Sequence, residues 1–159
     1  MAIDPKHIGK KYGPFNYAAG LEKMREFAYA VAGGVPSSSF GGAIPANLNP
    51  LLYDEKVAHD GPHRSVVAFP TFAVTFAMKV FTAALTDPEV DINLMMLVHG
   101  EQEFEFFDVI RPGDVITTTG TITQIYEKAS KDFVVLVSES KNQKGALVVK
   151  GTWTAVIRQ

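Results

Sequence analysis

The chain contains no cysteine. That excludes a disulfide framework, a thiolate nucleophile and any Cys-ligated metal. It also lacks an excess of either charge: 15 basic against 17 acidic residues give a net charge of -2. Without a basic face or a block of like charges, nothing marks a nucleic-acid partner. The N-terminal stretch Met1 to Tyr12 carries Lys6, Lys10 and Lys11 but no apolar core segment, so it does not read as a secretory signal. The longest apolar run, Val66 to Leu85, is broken by Pro70, Lys79 and several Thr. It falls short of a membrane span and reads as a buried helix. No membrane partner and a cytoplasmic location are therefore expected.

What is present is ample for one core: 159 residues, 47% of them hydrophobic, with no repeat and no low-complexity tract. The expectation is a single domain over residues 1–159. After a short extended piece at Pro14 to Tyr17, Leu21, Met24, Phe27, Ala28 and Val31 recur at helical spacing. They predict an amphipathic helix from Leu21 to Ala32, stopped by Gly33-Gly34. Gly33 to Asn49 holds four Gly, two Pro and three consecutive Ser, the composition of a long functional loop. Asp54 to His59 fits one helical turn ended at Asp60-Gly61-Pro62, and Pro70 to Leu85 a buried helix with Pro at its start.

From Leu94 onward the texture changes to strands: Leu94–Phe107, Asp114–Glu127, Phe133–Ser140 and Ala146–Ile157, rich in Val, Ile, Thr and Phe. Arg111-Pro112-Gly113-Asp114, Ala129-Ser130-Lys131-Asp132 and Asn142-Gln143-Lys144-Gly145 separate them with turn chemistry. Short turns predict an antiparallel meander of consecutive strands. Helices first and strands afterwards predict an α+β fold, one long helix lying across a curved antiparallel sheet.

Several strings, in this order, resemble the MaoC-like, R-specific enoyl-CoA hydratase family, and within it the FAS1-like or N-terminal MaoC dehydratase branch. They are Arg25-Glu26-Phe27-Ala28, Asn49-Pro50-Leu51-Leu52-Tyr53-Asp54, Val67-Ala68-Phe69-Pro70-Thr71-Phe72, Leu97-Val98-His99-Gly100-Glu101-Gln102 and Arg111-Pro112-Gly113-Asp114. The resemblance spans nearly the whole chain and implies a hot-dog fold, a curved antiparallel sheet wrapped around one central helix. It also implies hydro-lyase chemistry on an enoyl or (3R)-hydroxyacyl thioester, carried by CoA or acyl carrier protein, with no further cofactor and no metal.

The family's catalytic string is Asp-x-Asn-Pro-(aliphatic)-His, whose Asp and His exchange protons with the water that is added or removed. Here the string reads Asn47-Leu48-Asn49-Pro50-Leu51-Leu52. Asn47 stands for the Asp and Leu52 for the His, and neither an amide nor an alkyl group moves a proton near neutral pH. The resemblance therefore implies a chain inactive by itself that pairs with a catalytic MaoC-like subunit carrying Asp and His. Its own share would be the acyl pocket, with Gly33 to Asn49 as an adaptable wall and Phe69, Pro70, Thr71, Phe72 and Phe76 at the central helix as substrate-binding candidates. The start of that helix could hold the thioester carbonyl through free N–H groups, although Pro is common there for starting helices alone.

Other groups invite weaker readings. Asp54, His59 and His63 follow the degenerate motif and could offer a substitute base, but exposed loop polar residues are the plainer account. His59 and His63 are four apart with Gly61-Pro62 between them, which breaks the shared helical face a metal pair would need. The glycine pairs match neither a dinucleotide fingerprint nor a P-loop, and Ser37-Ser38-Ser39 lacks a nucleophile-elbow setting. His99 sits in an apolar strand, where a hydrogen bond inside the sheet or at a subunit junction is expected; a role in ordering the partner's active-site loop, as a weak catalytic candidate beside Asp54, is the other reading. Arg111, Lys128, Lys131 and Lys144 lie near turns and could meet the phosphates of CoA or a pantetheine arm; solvated turn charges are the plainer account. Two alternatives remain open: a homo-oligomeric hot-dog thioesterase using Asp54 or Glu55 to activate water, and a non-catalytic acyl-thioester-binding module. In every case a dimer or higher oligomer is expected.

Overall fold

The computed structural model describes residues 3–33 and 44–158. The chain separates into two compact units. The first comprises Met1–Asn16, Val74–Asp108 and Ile116–Gln159, the second Tyr17–Ala73 and Val109–Val115. Five strands make one sheet: β1 (Lys11–Ala18), β2 (Leu97–Phe106), β3 (Val115–Lys128), β4 (Lys131–Lys141) and β5 (Leu147–Arg158), in the order β1-β3-β4-β5-β2. The helices are α1 (Leu21–Val31), α2 (Glu55–Asp60) and α3 (Val74–Leu85), with α3 preceded by a 3-10 turn over Pro70–Ala73.

In the first unit, β3 to β5 form antiparallel pairs because their connections carry the residues that tight reversals require. Ala129 and Ser130 both take positive φ, 51° and 55°, between the paired Lys128 and Lys131. Between β4 and β5, Asn142 Oδ1 accepts from the N–H groups of Lys144 and Ala146, at 3.0 and 3.1 Å, while Gly145 supplies φ 79°. Helix α3 buries Phe76, Ala77, Val80, Phe81 and Ala84, a stripe with 3.6-residue spacing. It lies directly on the sheet at Gly120 of β3, where an added Cβ would come within 2.9 Å of the Val80 side chain. Trp153 of β5 is fully buried, stacks on Phe81 at 5.3 Å and donates through Nε1 to Ser138 Oγ across 3.0 Å. That bond satisfies the indole N–H, which burial would otherwise leave without a partner.

The expected meander holds for β3, β4 and β5 and fails for β2. Rather than turning back on β3, β2 runs antiparallel to β5 at the far edge of the sheet. The segment after Phe106 still follows β5, since Phe107 N donates to Val148 O at 2.9 Å. Arg111 to Asp114 is thus a turn at the end of a crossover and not a hairpin. The first predicted strand also starts later, because Leu94–Met96 forms a 3-10 turn capped by the side chain of Asn93.

In the second unit, α1 ends where the glycine pair predicts, with Gly33 at φ 82° and its N–H on Ala30 O. Ala28 and Tyr29 of α1 and Leu48 form a small apolar core, with Ala32, Leu52 and Tyr53 against it. The turn Arg111 to Asp114 closes with Gly113 at φ 88°, and its Gly113 and Asp114 exchange backbone hydrogen bonds with Ala19. The sheet with its central helix is the hot-dog arrangement.

Candidate functional site

The degenerate motif lies in the second unit and is held by local polar bonds. Pro45 to Leu48 make a turn, with Leu48 N on Pro45 O at 3.0 Å, and Leu48 is driven into the small core. Asn49 then caps a 3-10 turn over Pro50–Leu52 by accepting from Leu51 N at 3.0 Å. Asp54 caps α2 in the same way, its Oδ1 accepting from Lys56 N and Val57 N at 2.9 and 3.2 Å. Asn-Pro at the start of one turn and Asp at the start of the next are the residues that satisfy free helix N–H groups.

Asn47 and Asn49 are exposed, whereas Leu52 is half-buried against the Ala28, Tyr29 and Leu48 cluster. Leu52, which the resemblance sets in the place of the family's His, thus packs with hydrocarbon. Asp54 caps α2 through Oδ1 alone. Glu55 receives a hydrogen bond from Arg25 Nη2 at 3.1 Å. Arg25 also donates through Nε to Tyr53 O at 2.8 Å and through Nη1 to Glu22 Oε1 at 2.6 Å. One guanidinium therefore joins α1 to the segment that follows the motif. Arg25 belongs to a string singled out in the sequence; Glu22 is a neighbour one helical turn away, but Tyr53 and Glu55 lie 28 and 30 residues away and no local pattern announces them.

Beside α2 is an open cleft of about 590 Å³ lined by Glu55, His59, Asp60, Arg64 and Pro112 among others. His59 stands there on the last turn of α2, which Gly61 ends, while His63 is exposed beyond it. Among the described residues, no group of three or more His, Asp or Glu side chains is placed to hold a metal. No helix among them is long and apolar enough to cross a membrane.

The substrate-binding candidates separate by burial. Pro70 and Thr71 are exposed and Phe69 is half-buried, whereas Phe72 and Phe76 are 0% and 1% exposed. Phe72 meets Phe27 edge-on at 5.5 Å and Tyr17 at 6.0 Å, so it is a packing residue of the second unit. Phe76 is core of the first. A more open apolar surface runs along the other side of α3, a groove of about 640 Å³ bordered by Phe15, Val74, Met78, Thr82 and Ala83. Of the loop from Gly33 to Asn49, residues 34–43, the three serines included, lie outside the described residues.

His99 is exposed on edge strand β2 and makes no side-chain hydrogen bond among the described residues, contrary to the bond expected inside the sheet. Its ring packs at 5.2 Å from Phe81 and 5.9 Å from Trp153. The outermost strand leaves one side open to solvent, so aromatic stacking takes the place of the internal bond. Arg111 serves its own turn: its N–H donates to Asp114 Oδ2 at 2.8 Å and its Nη1 to Val109 O.

The five-stranded sheet and its central helix define a hot-dog fold. Residues 6–151 match the family described as FAS1-like, dehydratase domain region, and the chain belongs to that family. A UPF0336 protein of Streptomyces coelicolor is 32% identical over 158 residues, 99% of this chain and 95% of the relative. The chain is also similar to a chain of the HadBC (3R-hydroxyacyl-ACP dehydratase) complex of Mycobacterium tuberculosis, at 25% identity and a TM-score of 0.75. The match covers 94% of this chain and 96% of that one. A MaoC-like dehydratase of 23% identity superposes with a TM-score of 0.78 over 96% of this chain and 42% of its own.

Proposed function

We propose that the chain is the non-catalytic, pocket-forming subunit of a heteromeric enoyl-thioester hydratase, or (3R)-hydroxyacyl-thioester dehydratase. A MaoC-like chain with intact Asp and His supplies the chemistry. In that reaction a base takes a proton from water as its oxygen attacks Cβ of the enoyl thioester. An acid returns a proton to Cα, and N–H donors stabilise the charge that builds on the thioester oxygen. The first two roles need titratable groups.

The observation that carries the reading is Leu52. It occupies the His position of the family string and packs against the Ala28, Tyr29 and Leu48 cluster, while Asn47 replaces the Asp. The similarity to a chain of a dehydratase complex supports a partner subunit. Within this chain the acyl wall falls to Phe69, Pro70 and Thr71 ahead of the central helix and to the loop from Gly33 to Asn49, whereas Phe72 and Phe76 are fully buried packing residues. CoA or acyl carrier protein would bring the substrate, and no other cofactor is required. The protein acts in the cytoplasm.

The test is hydration of crotonyl-CoA, followed by loss of its conjugated absorbance, with the chain alone and mixed with a MaoC-like chain bearing Asp-x-Asn-Pro-(aliphatic)-His. Activity in the mixture above that of either chain alone is expected. Full hydration by the lone chain sinks the reading, and release of free CoA points to a thioesterase instead.

A further inference from the structure

Strand β2 is the open edge of the sheet: β5 pairs with one side of it, and its other row of N–H and C=O groups has no strand among the described residues. An open edge is a template for another strand, and chains that stay alone blunt it with charge. This edge is blunted only in its middle. Leu94, Met95 and Val98 at one end, and Phe106 and Phe107 at the other, are 45–86% exposed. Large apolar side chains at both ends of an unpaired strand mark a surface that another protein covers.

The middle of the edge selects what covers it. The register sets Glu101, Glu103 and Glu105 opposite Thr154, Thr152 and Lys150 of β5. The other face of β5 carries Trp153 and Gly151, with Phe104 packed on Trp153 at 5.5 Å. The three glutamates thus line the sheet face turned away from the Trp153 and α3 core, and all three are exposed. Side chains directly opposite in an antiparallel pair share a face. Two copies joined through β2 with their faces continuous must therefore set odd-numbered positions of this stretch against odd-numbered ones. In the centred register Glu103 meets Glu103, and Glu101 meets Glu105 twice. Like charges directly opposite destabilise such a pair, and opposite charges stabilise it.

We infer that Glu101, Glu103 and Glu105 bar self-pairing at the open β2 edge and select a partner hot-dog chain whose edge strand carries Lys or Arg in the matching positions. This rests on the reading of the chain as one half of a heteromer and identifies the surface and charge of the other half.

The edge can be tested with this chain alone, independently of activity. The triple variant Glu101→Lys, Glu103→Lys, Glu105→Lys supplies a basic edge on the same fold. Sedimentation at low salt should show wild type and variant each failing to dimerise through β2, and a mixed dimer at least about tenfold tighter than either self-pair. That dimer should weaken as salt rises. Since the chain has no cysteine, Gln102→Cys placed in both partners with a short bismaleimide reports contact at β2 and nowhere else. Neutralising the three glutamates to Gln should raise self-pairing and its cross-link, which tests the ladder should the lysine variant fail to fold. A mixture that does not cross-link, or a wild-type chain that cross-links to itself as well as the Gln variant does, overturns the inference. Failure of the crotonyl-CoA assay with a working charge swap would instead remove the catalytic reading and leave the edge standing.

Discussion

Arg25 donates through Nε to the backbone carbonyl of Tyr53 across 2.8 Å, tying α1 to the residue that follows the degenerate motif. The same guanidinium reaches Glu22 and Glu55, both exposed carboxylates. A charged donor on a half-buried carbonyl is worth about 1.5–3 kcal/mol, whereas an exposed ion pair contributes about 0–1 kcal/mol. Arg25→Leu should therefore destabilise the chain by roughly 2 kcal/mol, and Glu55→Gln by less than about 1 kcal/mol. Urea denaturation of both variants checks the difference; equal losses would place the stabilisation in the ion pair instead.

Gly120 marks the place where the central helix touches the sheet. A Cβ there meets Val80 at 2.9 Å and Leu136 at 3.2 Å, both in the core with no free space beside them. Gly120→Ala should cost about 1–3 kcal/mol as the helix is pushed off β3. The double variant Gly120→Ala, Val80→Ala should recover only a small part of that loss, because it removes Val80 Cγ2 at 3.0 Å but leaves Val80 Cβ at 2.9 Å. Denaturation midpoints that show no recovery would place the strain at the Val80 Cβ or at Leu136.

The helix over Leu21–Val31 and strands β3 to β5 are legible in the sequence, because periodicity and turn residues are local properties and each element ends at its own punctuation. The place of β2 is not local. Nothing in Leu97 to Phe106 says that it pairs with β5, whose partner residues lie 43 to 60 positions further along the chain. The alternation of Glu with Phe from Glu103 to Phe106 is visible in the sequence, but its meaning depends on the strand being an edge. Asn47 and Leu52, at the places where the resemblance implies Asp and His, are read directly from residues 47–52. The bonds of Arg25 to Tyr53 and Glu55, 28 and 30 residues away, are not.

Asp87 carries the clearest pH dependence. A hydrogen bond from Lys10 holds its carboxyl down at about 2, against an ordinary 3.8, with further bonds from Glu89 N–H and Tyr12. Because the folded state favours the ionised form, this stabilisation is fully present above about pH 4 and is lost as pH falls toward 2. Asp87→Asn should thus lower stability at pH 7 and flatten the acid limb of the stability profile between pH 4 and 2. Thermal melts across that window check it. An unchanged acid limb in the variant would assign the acid sensitivity to other carboxylates.

Leu52 and Asn47 separate a packing role from a catalytic one. Leu52 is half-buried against a small cluster, so Leu52→Ala should cost about 1–2 kcal/mol, below the loss at a fully buried site. Asn47 is exposed, and Asn47→Ala should stay within about 0.5 kcal/mol of the parent. If neither side chain takes part in proton transfer, both variants should leave kcat of the mixed enzyme on crotonyl-CoA within about twofold of the parent under conditions where they are folded, since loss of a general acid or base typically costs 10²–10⁴-fold. A hundredfold fall in kcat for Asn47→Ala, with stability intact, would return this chain to the chemistry.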